Sequence, residues 1–440
     1  MDGRTMPLLE SLLAECERAE DTVVVHINHC MENSFYFTRQ LRRVFHEVVL
    51  IAVPYNDRGV PETAEYPVYH GARTAGGYRL LRGGVFLEDT AADFPAAVRR
   101  LIALALQNDV QPYVAQGKRV LILEDGGYHY PVLEEFLRQP RWRAAVLGAV
   151  EQTTAGTRAS CRDTLAYPVA SVARSAYKTR VEAYFVANRV VDELTRMLHA
   201  LDEFIDFHDV LLLGYGVIGR SVAGSLRPHH VRLFARDTDA DVQQTAQAEG
   251  CLPWDGVFRE GMLVLGNVGK PSFSADMLCA FLAGPARRIY LASSSSKQEE
   301  FKEIFGPLQK ARRLRYPQAD CYRFPSGKEL LLLAEGFPLN FYDRGADSLT
   351  YDMIDPVFSE MLLSALYLRE HQAQLPSRTY LFGIDEQLGG APAEQTLLTR
   401  WMTLNHLHFD AETFNRHPQE DRLRQNVIYR RSQSGRMEQT

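Results

Sequence analysis

The chain has 440 residues, more than one ordinary domain needs and enough for two or three. Its 46% hydrophobic content can build real cores, while 24% charged residues, a net charge of −6 and no basic block argue against a surface made for nucleic acid or an anionic membrane. No apolar run approaches the roughly 18 to 20 residues that span a bilayer, and the acidic, amphipathic start does not read as a signal peptide, so a cytoplasmic protein is expected.

Strands alternating with amphipathic helices predict an α/β fold with parallel sheets. In the first half, strands are expected at 22–28, 47–55, 119–125 and 144–152, with helices near 31–45, 93–108 and 130–138. An apolar pattern at helical spacing, without Gly or Pro, then runs from about Ser175 to Phe204 and predicts one long connecting helix. A second alternating block starts at Val210 and passes through VLLLGYG, VRLFARD, MLVLGN, RIYLAS and ELLLLAEG to about Asn340. A helix is expected at 353–371, and the polar segment from about 410 reads as a surface arm. The order predicts a Rossmann-type domain at 195–348 inserted into a second α/β domain, 1–190 plus 350–405, with 406–440 as a tail. Cys16, Cys30, Cys161, Cys251, Cys279 and Cys321 form no CxxC pair, so neither a metal site nor a disulfide framework is expected.

The most specific motif is DVLLLGYGVIGRSVAG followed by VRLFARD. A strand enters Gly214-Tyr215-Gly216-Val217-Ile218-Gly219, a helix follows, and a second strand ends in Arg236-Asp237. Gly214 permits a tight turn, Gly216 lets backbone approach a pyrophosphate, and Gly219 allows close helix–strand packing. The helix start supplies free N–H groups for phosphate. Strand, helix and distal acid together make the loop far more specific than three glycines alone. Asp237 would accept from the adenosine ribose and repel a 2′-phosphate, which favours NAD. Arg236 is the feature an NADP site would use, so NADP is the weaker alternative.

The order of motifs adds to this. The chain runs HINHCMENSFYFTRQL, LEDGGY, VEQTTAG, YPVASVARSAYKTRVEAYFVANRVVDEL, GYGVIG and LLLLAEGFPLNF over about residues 25–370. In that order it resembles the S-adenosylhomocysteine hydrolase family. The resemblance implies tightly bound NAD and oxidation of a nucleoside ring hydroxyl. It places Lys178 beside the oxidised hydroxyl, with Glu182 for the family's aspartate one turn on. An i,i+4 pair on a helix shares one face, where lysine and carboxylate can share a proton; an ordinary surface ion pair is the bland alternative. Asp125 matches the aspartate of the Gly-Gly turn and His29 a histidine near the substrate. Gln152 stands where the family has glutamate. Thr153 and Thr154 match threonines on the nicotinamide ribose, and Asn340 a cofactor-contacting asparagine.

Departures are as informative. Ala173, Ala183 and Ala187 replace two asparagines and a cysteine, Met31 and Asn33 the base-reading pair, and Ser293–Ser296 a Gly-His-Phe motif. Asp347 stands for a histidine, and NVIYRRSQSGRMEQT lacks the family's C-terminal Lys and Tyr. The expected activity is therefore oxidation of a ring hydroxyl of a nucleoside-like or related polyol substrate, rather than the family's standard hydrolysis. A non-catalytic NAD-binding regulatory relative is the alternative. A D-2-hydroxy-acid dehydrogenase is a third reading, but its late catalytic histidine has no counterpart at the expected position; His371, His406 and His408 lie beyond it. The resemblance also implies a homo-oligomer, dimer or tetramer.

Overall fold

The computed structural model describes residues 4–53, 60, 65–74, 76–161, 165–295, 298–316, 318–342 and 347–407. The chain forms two compact units, one from residues 1–182 and 350–440 and one from Ala183–Leu349. The first unit contributes β1 (Ala19–His29), β2 (Phe45–Val53), β3 (Val68–Thr74), β4 (Gly77–Arg82), β5 (Val85–Thr90), β6 (Arg119–Glu124), β7 (Val146–Glu151) and β8 (Val169–Ser171). The second contributes β9 (Asp209–Leu213), β10 (Arg232–Arg236), β11 (Leu252–Pro253), β12 (Met262–Gly266), β13 (Arg288–Ser293), β14 (Arg312–Arg315), β15 (Ala319–Arg323) and β16 (Glu329–Leu333). The chain then returns to the first sheet with β17 (Thr379–Leu381).

The first sheet has the order β17-β8-β7-β6-β1-β2-β3-β4-β5, its pairings parallel except for β3–β4 and β4–β5, which are antiparallel. The second has the order β11-β10-β9-β12-β13-β16-β15-β14, with β14 and β15 antiparallel. Read along their parallel pairings, both follow the doubly wound order third-second-first-fourth-fifth-sixth, which β17 extends by a seventh strand in the first sheet. In such sheets ligands bind outside the carboxyl ends of the strands, where the order reverses. That point lies between β1 and β6 in one unit and between β9 and β12 in the other.

The inner strands β9, β12 and β16 of the second sheet read as nearly continuous apolar runs because both faces are covered. Val210 and Leu212 of β9 join one core with Ala235, Leu265 and Leu333, while Leu211 and Leu213 join the opposite core with Phe234, Val264 and Leu332.

Three features differ from the sequence reading. The meander β3–β4–β5 has no clear signal in the sequence, because its short strands alternate only loosely. The connecting helix is continuous over 176–199 but passes through a π-helical turn, Lys178–Glu182, before the α-helix Ala183–His199, and ends short of Phe204. Near the C-terminal end of the described chain, an α-helix spans Gly390–Leu404, an element the sequence pattern does not predict. The tail beyond 407 lies outside the described residues.

Candidate functional site

In the first unit, three candidate residues stand at neighbouring strand ends. His29 closes β1, Asp125 follows β6 and Gln152 follows β7. The backbone aligns them: Asp125 N donates to Ile27 O at 2.9 Å and Gln152 N to Glu124 O at 2.9 Å. His29 Nε2 then lies 3.3 Å from Asp125 Oδ1, and each side chain is only 6% exposed. The glycines after Asp125 are required there. Gly126 and Gly127 adopt φ +121° and +72°, and a Cβ on Gly127 would come within 2.7 Å of Gly156 Cα.

Buried acids support this rim. Glu124 accepts from the N–H groups of Tyr128 and His129 and pairs with the His129 imidazole, whose Nε2 bonds Tyr167 Oη at 2.9 Å. Glu151 accepts from Thr153 N and Thr153 Oγ1, both at 2.8 Å, and burial beside Glu124 pushes its carboxyl well above the usual range. The Thr153 hydroxyl also accepts from Gly156 N at 3.0 Å, capping the helix Thr154–Ser160. Thr153 is thus engaged in local structure, and Thr154 is the first residue of that helix.

Lys178 and Glu182 are joined on the π turn, Nζ lying 2.7 Å from Oε2 and 2.9 Å from Oε1. Their side chains are 14% and 10% exposed, which removes the surface-pair reading. π turns of this kind recur at functional sites. The start of the turn is held by Ser175 Oγ, which accepts from Lys178 N at 3.1 Å, and by Glu394, which accepts from Ala176 N. Glu360, on the helix Tyr351–His371, is fully buried. Burial and Glu394 push its carboxyl well above the usual range, while Ser175 and Lys178 oppose the shift. The sequence reading missed Glu360 and Glu394, since a lone acid in an amphipathic helix carries no local signal.

In the second unit the glycine loop leaves β9. Gly214 has φ +91°, and a Cβ on Gly219 would lie 2.1 Å from Gly214 O. A Cβ on Gly216 would meet nothing within 4 Å, so the loop keeps room where a pyrophosphate would approach. The helix Val217–Leu226 begins with half-buried Val217 and Ile218 and has no side-chain cap on its first N–H groups. Asp237, at the end of β10, leans over the loop: its Oδ2 accepts from Tyr215 N at 2.7 Å. Arg236 is exposed, its guanidinium 5.5 Å from the centre of the Trp254 ring. At the second loop of the switch point, Ser294 Oγ donates to Asn267 Oδ1, and Glu300 accepts from Val268 N at 2.6 Å and Gly269 N at 2.7 Å. Beyond β16 the chain reverses through Ala334, Glu335 and Gly336 at φ +49°, +54° and +81° before reaching Asn340. Asn340 is 3% exposed and its Nδ2 donates to Ser348 Oγ at 2.9 Å, but its Oδ1 has no partner among the described residues. The open side of Gly216, the uncapped helix and this orphaned oxygen all fit a dinucleotide.

Among the described residues, no group of three His, Cys, Asp or Glu side chains could hold a metal ion, and no helix is long and apolar enough to cross a membrane.

Fold and site therefore define the class: a mixed α/β protein with a Rossmann unit carrying a dinucleotide fingerprint, and a second doubly wound unit carrying a buried polar constellation. No family model matches the chain. It is 26% identical over 352 residues to an uncharacterised protein of Mycobacterium tuberculosis H37Rv, covering 77% of this chain and 62% of that one. It is 25% identical over 271 residues to the adenosylhomocysteinase of Sulfurisphaera tokodaii, covering 59% of this chain and 62% of that enzyme. The chain thus spans about 62% of the length of the curated relatives it matches. Among solved structures, a dipicolinate synthase polypeptide from Bacillus halodurans aligns with a TM-score of 0.38 at 10% identity, covering 80% of this chain and 99% of that one. Escherichia coli D-lactate dehydrogenase aligns at 0.36 and 13% identity, covering 79% and 98%. Likenesses at these scores add nothing to the reading of the site.

Proposed function

We propose that this protein is an NAD-dependent enzyme, distantly similar to adenosylhomocysteinase, that oxidises a ring hydroxyl of a nucleoside-like or related polyol substrate. The observation that carries the reading is the withdrawn Lys178–Glu182 pair, 2.7 Å apart on a π turn. An ammonium and a carboxylate held this way can accept the hydroxyl proton and keep the alkoxide oxygen paired. His29 and Asp125 would orient the ring and hold a proton at the imidazole. Gly214, Gly216, Val217, Ile218 and Gly219 would hold the pyrophosphate, Asp237 the adenosine ribose, and Asn340 Oδ1 a donor of the cofactor. Bound NAD would supply the hydride acceptor. Asp237 favours NAD because its carboxylate faces the loop, whereas Arg236 is stacked on Trp254.

The second reading is a non-catalytic NAD-binding regulator. What favours it is the buried Ala173 and Ala187, where the resembled family carries polar side chains. Single-turnover absorbance at the NADH band, with a panel of nucleosides and cyclic polyols, separates the two. Reduction by at least one compound, lost in Lys178→Ala, is the expected result. NAD binding with no reduction by any compound would overturn the enzymatic reading.

A further inference from the structure

The strand ends between β1 and β7 hold a hydrogen-bond chain whose every donor and acceptor can be assigned from fixed groups. Thr38 Oγ1 donates to Ser34 O at 2.8 Å, so it accepts from His26 Nδ1 at 2.9 Å. His26 is fully buried, and burial pushes it down to about 3, so the ring is neutral and its Nε2 carries a lone pair. Asn28 Oδ1 accepts from His29 N at 2.7 Å, a backbone donor that cannot exchange roles, and from Ser34 Oγ at 3.2 Å. Asn28 Nδ2 must therefore face the other way. It donates to His26 Nε2 at 3.2 Å and to Gln152 at 3.3 Å. The Gln152 atom that receives this bond is the carbonyl Oε1. Its Nε2 is left with two N–H groups, and no acceptor among the described residues takes them.

We propose that Gln152 determines specificity as a hydrogen-bond donor, so that the ligand group meeting it is an acceptor such as an ether or carbonyl oxygen. A carboxylate at this position would instead demand a hydroxyl that can donate. Gln152 therefore admits an oxygen without a hydrogen, a substituted or oxidised ring position, where glutamate would leave two acceptors opposed. The inference rests on the proposed reading only in taking a ring-bearing ligand.

The test is isothermal titration of the NAD-containing protein with adenosine, 2′-O-methyladenosine, 3′-O-methyladenosine and D-ribono-1,4-lactone. At least one of the three altered compounds should bind the wild type within about threefold of adenosine. Gln152→Glu, which keeps the Asn28 bond and the shape, should weaken that compound by about tenfold or more while leaving adenosine within about threefold. Gln152→Met, which removes the donor without adding charge, should weaken the same compound. The proposal is overturned if Gln152→Glu binds all four as the wild type does, if adenosine weakens as much as the altered compounds, or if none of the four binds. Titration reads binding without turnover, so absent NAD reduction would count against the oxidation reading alone.

Discussion

His29 Nε2 and Asp125 Oδ1 stand 3.3 Å apart although 96 residues separate them in the chain, and both side chains are buried. Their contact follows from β1 and β6 being neighbours at the strand-order reversal, which no local pattern encodes. A carboxylate against an imidazole fixes the ring's orientation. Asp125→Asn keeps the shape and removes the charge. It should lower kcat for any ring-hydroxyl substrate by roughly 10²-fold. An unchanged kcat in this variant would separate Asp125 from the chemistry.

Lys178→Ala should reduce turnover by about 10²- to 10⁴-fold, the range general acid–base groups supply. NAD affinity, measured by fluorescence titration, should stay the same, because the glycine loop and Asp237 belong to the other unit. Loss of NAD binding in this variant would assign Lys178 a structural role.

Two of the loop glycines, Gly219 and Gly216, should fail differently. In Gly219→Ala the new methyl meets Gly214 O, so the thermal midpoint should fall, at a cost of roughly 1–3 kcal/mol or more. Gly216 has φ −67° and open space beside it, so Gly216→Ala should fold with unchanged stability yet lose about tenfold or more in NAD affinity. Equal NAD affinity in Gly216→Ala and the wild type would place the pyrophosphate elsewhere.

Asp355 offers a pH test. Its carboxyl accepts from Leu8 N and Leu9 N, both at 2.8 Å, starting the helix Pro7–Leu13. Burial raises it from its ordinary 3.8 to about 7. Between those values the folded chain holds a proton that the unfolded chain has released. This contribution to stability is therefore complete below about 3.8 and is lost as pH rises through about 7. Glu151 and Glu360 are raised too and slope the same way. The midpoint of urea unfolding should fall between about pH 4 and 7.5 in the wild type, and less steeply in Asp355→Asn. Identical slopes would show that Asp355 does not titrate in that window.

Much of the second unit was legible in the sequence because its information is local. The apolar run of β9, the glycines at 214, 216 and 219 and the acid at 237 act through turn geometry, close approach and side-chain reach, all within one βαβ unit. Pairing of Lys178 with Glu182 was legible for the same reason, since four residues along a helical turn bring side chains to one face. That its backbone is a π turn, and that the pair is withdrawn from solvent, depends on what packs around it. Tertiary structure alone decided the rest. Glu360 and Glu394 reach the lysine turn from helices some two hundred residues later. The donor face of Gln152 is set by Asn28 on another strand, itself oriented by the adjoining His29 N–H. A sequence specifies which groups exist. Only the juxtaposition of strand ends decides which lone pair faces which hydrogen, because a hydrogen bond is made over about 3 Å between groups that the chain keeps far apart.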